Sequence, residues 1–172
     1  MGSEDLYRCT ETSLENDPAS IGAGPDFLVS AIKQVRAAIA GTSLSNALVG
    51  HVDTYDAWAN SSNAAVIAEV DFLGMNTFPY FQTTDNNDIS NGKSLFQDAY
   101  SQTQAVAGGK SVIITETGWP VGGANAKGGV SGKALASTAN AKTYYDQVGC
   151  DMLFGKVDTY VSSPASRIYV HV

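Results

Sequence analysis

Residues 112–116 form a short unbroken run, Val112-Ile113-Ile114-Thr115-Glu116, set between the pair Gly108-Gly109 and the corner Gly118-Trp119-Pro120. A β-branched run of this length with no alternating polar face reads as a strand covered on both sides, the condition of a parallel sheet. Parallel strands need crossover connections, so helices must stand on either side of it in the chain. At its carboxyl end is a carboxylate, Glu116, and that is the end at which α/β barrels present their reacting groups.

The flanking sequence supplies the crossovers. Residues 25–40 follow Gly24 and precede Gly41, with Leu28, Ile32, Val35 and Ile39 at helical spacing and Pro25 in the first turn, which predicts an amphipathic helix. A strand is expected over 47–54, a short helix over 63–70, a strand over 72–78, a helix near 94–107, and, after the Glu116 strand, a helix near 136–148 and a last strand over 153–160. With a terminal strand stub at Gly2-Ser3-Glu4, this makes five strands separated by four helices, the order of βαβ units.

Seventeen acidic against ten basic residues, net −7, exclude the clustered Lys and Arg of a nucleic-acid surface. A 44 % apolar share with 16 % charged residues is that of a globular chain, and no stretch reaches the about 20 apolar residues of a membrane span. Glycines at 122, 123, 128, 129 and 132 do not make a phosphate loop, because Lys127 stands where its first glycine belongs and Ala134 follows Lys133; a flexible loop is expected. Cys9 and Cys150 form no metal signature and either pair in an oxidising compartment or remain thiols. The first residues hold Glu4 and Asp5 and lack the basic flank and apolar run of a secretory leader, which, with the sequon Asn60-Ser61-Ser62, predicts a chain that has lost its front end rather than a cytosolic protein.

The segment Thr115-Glu116-Thr117-Gly118-Trp119-Pro120 resembles the nucleophile strand of glycoside hydrolase family 17, the fungal and plant β-1,3-glucanases and glucanosyltransferases. Residues Gly2-Ser3-Glu4 are similar to that family's acid/base strand, with Met1 where its valine would stand, and further similarity runs through 49–58, 71–82 and 139–158. The resemblance implies an α/β fold, an incomplete (β/α)8 TIM barrel made of strands four to eight, over residues 1–160, with 161–172 an unmatched tail. A closed barrel takes eight strands and about 250 residues, so two sheet edges would be left open to self-association.

The implied reaction is retaining cleavage of β-1,3-glucan, with Glu116 as nucleophile and Glu4 as general acid/base about 5 Å apart. Whether water or a sugar hydroxyl takes the glycosyl group, giving hydrolysis or transfer, is left open. No cofactor and no metal is implied. Aromatic rings stack on sugar faces and Asn or Asp side chains bond their hydroxyls, so Asn76, Tyr80, Trp119 and Asp53 are the candidates for substrate contact. Phe78 reads as packing, His51 as a satisfied core group, and Asp158 as an exposed carboxylate or a bonding partner within the site. The expected partner is the polysaccharide, not nucleic acid or a membrane, and the resemblance implies an extracellular or wall-associated enzyme. The competing reading is a non-catalytic glucan-binding remnant or a truncated, inactive product.

Overall fold

The computed structural model describes residues 2–122 and 133–159 of the 172. Helix α1 (Asp5–Arg8) and helix α2 (Glu11–Asn16) come first, followed by α3 (Pro25–Ile39), strand β1 (His51–Thr54), α4 (Tyr55–Ala59), α5 (Ala64–Glu69), β2 (Phe72–Asn76), α6 (Gly92–Val106), β3 (Ser111–Glu116) and α7 (Thr138–Tyr144). The last helix runs on as a π-helix, Tyr145–Leu153. The three strands pair in parallel in the order β1-β2-β3, so the chain is α/β as expected.

Two compact units divide the chain, one made of 1–75 and 102–112, the other of 76–101 and 113–172. In the first, α3 starts at Pro25 with Asp26 in its first turn and Arg36 in its last, each sign matching the helix dipole, and it turns Leu28 and Ile32 inward. It packs on α5, where Val66 is buried. Trp58 of α4 is fully buried and its indole N–H donates to the Gly74 carbonyl at 2.8 Å. Leu73 and Met75 of β2 complete this core. In the second unit Phe96, Ile114, Tyr144, Val148 and Leu153 are among the buried side chains.

Several expected elements have different bounds. The strand over 47–54 is confined to His51–Thr54, and Asn60 caps a 3-10 turn, Ser61–Asn63, ahead of α5. Gly2-Ser3-Glu4 forms no strand: Ser3 makes one parallel bridge to Val52, and the chain turns into α1 immediately after Glu4. The last strand is also corrected. Leu153 belongs to the π-helix, and among the described residues of that segment Thr159 alone bridges β3, opposite Ile114. The glycine-rich stretch 123–132, Met1, Tyr160 and the tail 161–172 lie outside the described residues. Cys9 and Cys150 are both exposed thiols without a disulfide. Among the described residues no helix is long and apolar enough to cross a membrane.

Candidate active site

Glu116 closes β3, half-buried, and its carbonyl accepts the Thr77 N–H at 2.9 Å. That bond extends the parallel ladder one residue past β2 and fixes the backbone from which the Glu116 side chain leaves. On the neighbouring strand end Asn76 is almost wholly buried, and its side-chain oxygen accepts the Thr115 hydroxyl at 2.6 Å. The structure therefore brings Asn76 and Glu116 to adjacent strand ends in the second unit.

Beyond Glu116 the chain is pinned by aromatic contacts. The Thr117 hydroxyl and the Tyr144 phenol share a 2.6 Å hydrogen bond. Complete burial pushes the Tyr144 phenol well above the tyrosine range, against the smaller lowering effect of that bond. Trp119 lies between Tyr80, edge-on at 5.3 Å, and Tyr144 at 5.7 Å, and its indole N–H donates to the Leu135 carbonyl at 2.9 Å. Tyr80 and Trp119 are each only 3 % exposed. Both rings are packed against protein in this state rather than open to a sugar. The exposed aromatic of the segment is Phe81, 52 % exposed, edge-on to both Phe78 and Tyr80.

Sequence reasoning also passed over Asn87. It is fully buried; its amide donates to the Tyr80 carbonyl at 2.8 Å and its oxygen accepts the N–H groups of Lys133 and Ala134. An Asn in a polar turn carries no pattern to mark this, since Lys133 and Ala134, whose N–H groups it accepts, are remote in sequence. Asp158 is exposed, and its carbonyl accepts the Ile114 N–H.

The first unit holds Glu4 and Asp53. Glu4 is the one non-glycine residue with positive φ among those described, at φ 60° and ψ 28°. Its carboxylate pairs with Arg8 at 3.3 Å, one helical turn on. The negative charges of Glu4 and Asp56, after burial, help raise the Tyr7 phenol above its ordinary value. Asp53 is fully buried and accepts from the N–H groups of Leu6 (2.8 Å), Tyr7 (3.2 Å) and Thr54 (2.9 Å). His51 completes the set, its Nε2 lying 3.1 Å from Asp53 and 3.9 Å from Asp5, its ring edge-on to Trp58. His51 is thus a satisfied core histidine.

The model of the BtgE/BtgC glycoside hydrolase domain matches residues 1–164. The chain belongs to glycoside hydrolase family 17. This family-17 chain is 52 % identical over 160 residues to a protein of Aspergillus niger named probable glucan endo-1,3-beta-glucosidase, the match covering 93 % of the chain and 33 % of the relative. It thus spans about a third of the length of the curated relatives it matches. A family-17 β-1,3-glucanosyltransferase from Rhizomucor miehei superposes with a TM-score of 0.71 at 30 % identity, covering 95 % of this chain and 51 % of that one. An active-site mutant of that transferase in complex with laminaritriose gives 0.71 at 29 % identity, covering 93 % and 50 %.

Proposed function

We propose that the chain is the glucan-cleaving part of a retaining enzyme that hydrolyses or transfers β-1,3-glucosidic bonds, outside the cell or in its wall. The observation that carries the reading is Glu116, set at the carboxyl end of a parallel strand, within the family's nucleophile motif, on a backbone held by Thr77. In this reading the strand bearing Glu116 is the seventh of a (β/α)8 barrel and residues 1–160 span positions four to eight, the fourth and eighth reduced to the bridges at Ser3 and Thr159.

Glycosidic cleavage needs one carboxyl to protonate the departing oxygen and a second to bond the anomeric carbon. Glu116 is the nucleophile and Glu4 the general acid, which becomes the base when water or a sugar hydroxyl releases the glycosyl group. Asn76 bonds a sugar hydroxyl. Tyr80 and Trp119 form the wall behind Phe81, and they meet substrate directly only if that wall opens. Asp53 has its four hydrogen bonds inside the protein, so its part is to hold the Glu4 segment.

The test is reducing-end release from laminarin, cellulose and xylan by the protein that carries this chain, alongside a glucan pull-down. Preferential release from laminarin supports the reading. Binding without turnover makes the chain a glucan-binding module, and equal rates on the three polymers reduce the likeness to one of fold.

A further inference from the structure

Glu4 holds a left-handed backbone conformation that a residue with a side chain keeps only when its surroundings enforce it. The enforcing contacts come from both sides. The Glu4 N–H donates to the Val52 carbonyl at 2.9 Å, and the Glu4 carbonyl accepts the Arg8 N–H at 2.9 Å. Between these, the N–H groups of Leu6 and Tyr7 both enter the Asp53 carboxylate.

Helix α1 has an unusual start. Its N-cap residue is Glu4, whose side chain makes no capping bond. A carboxylate normally provides that bond from the cap position itself; here Asp53 provides it from β1, so the Glu4 carboxyl is not consumed in capping. His51 Nε2 meets the Asp53 carboxylate at 3.1 Å, on the oxygen that also accepts the Leu6 N–H. Both groups are fully buried, so solvent does not compete for these bonds.

We propose that Asp53, oriented by His51, is a positioning residue that sets where the Glu4 carboxyl delivers its proton; this rests on the reading of Glu4 as general acid/base. In the first step Glu4 gives its proton to the glycosidic oxygen as the bond from that oxygen to C1 breaks and Glu116 bonds C1. In the second, Glu4 takes a proton from water as the water oxygen bonds C1 and the Glu116 ester breaks. A displaced Glu4 impairs both steps, and a displacement of about 1 Å costs roughly 10²-fold in rate.

Leaving-group dependence separates positioning from a general loss of structure. Dinitrophenolate departs without a proton, and azide attacks C1 without giving one up, forming the glycosyl azide. The substrates are laminarin and 2,4-dinitrophenyl β-laminaribioside with azide, and the variants Glu4→Gln, Asp53→Asn and His51→Gln in the protein that carries this chain. Asp53→Asn and His51→Gln are expected to lower kcat on laminarin by roughly 10²-fold, and on the aryl glycoside with azide by less than about threefold, as Glu4→Gln does. Equal losses on both substrates in the Asp53 and His51 variants, no loss on either, or failure of both variants to fold overturns the proposal while Glu4→Gln keeps its split. A Glu4→Gln variant without that split, or a parent protein that turns over neither substrate, overturns the acid/base reading itself.

Discussion

Thr117 and Tyr144 meet oxygen to oxygen at 2.6 Å, in a buried bond that joins the residue after Glu116 to the last helix. Removing one partner strands the other. Thr117→Val should cost about 1–3 kcal/mol, the penalty of a buried hydroxyl left alone, and adding Tyr144→Phe should recover most of it. Urea midpoints of the two single variants and the double variant complete the cycle; additive losses would show that the bond carries no coupling.

The same phenol makes the fold alkali-sensitive. Burial raises its folded pKa above the ordinary value near 10, so the folded state binds the proton more tightly than the unfolded state does. By linkage its contribution is complete below about pH 10 and declines as pH rises toward the folded value. Unfolding free energy should therefore fall more steeply above that point in the parent than in Tyr144→Phe. Parallel pH profiles for the two proteins would contradict the assignment.

Glu116→Gln should reduce laminarin turnover to background and leave the thermal transition in place, because the two side chains have nearly the same volume. Turnover that survives the substitution would remove Glu116 from the nucleophile role.

Lys110 ties the end of α5 to the strand that follows it in the sheet. Its ammonium donates to the carbonyls of Ile67, Ala68 and Val70, three acceptors at a helix C-terminus, where a cation is also favoured by the dipole. Lys110→Met leaves the partly buried Ile67 and Val70 carbonyls short of a donor and should cost about 1–3 kcal/mol. Chemical denaturation reads the loss, and a change within error would mean that water replaces the ammonium.

Gly50 faces the ring of Phe72 so closely that a Cβ would stand 2.4 Å from its Cζ. Gly50→Ala should therefore destabilise by about 1–3 kcal/mol, the usual range for overpacking, and Phe72→Leu should relieve part of that in the double variant. If the alanine protein matches the parent, the ring has room to move.

Where pattern spoke through several turns or through a strand's own composition, the fold was legible. The Pro25 start and the spacing of Leu28 and Ile32 predicted α3 within a residue, and the β-branched run predicted β3. The last segment misled for a definite reason: Tyr144, Val148 and Leu153 are buried at intervals of four and then five, and the second interval belongs to a π-turn, outside the 3.6-residue period. Helices α1 and α4 are too short to show any period, and α1 owes its start to Asp53, which sequence cannot place beside it. Chemical type was readable at Tyr80 and Trp119. Their exposure was not, since it depends on Tyr144 and Leu135 closing over the indole.

The left-handed backbone of Glu4 also bears on how this domain would respond to artificial selection. Glycine adopts φ 60° without steric penalty, so Glu4→Gly relieves strain worth about 1 kcal/mol, set against the loss of an ion pair with the part-exposed Arg8. A mutant library ranked by heat survival alone would thus enrich clones that have discarded the proposed proton donor. Any campaign to harden this domain has to score turnover in the same round as temperature.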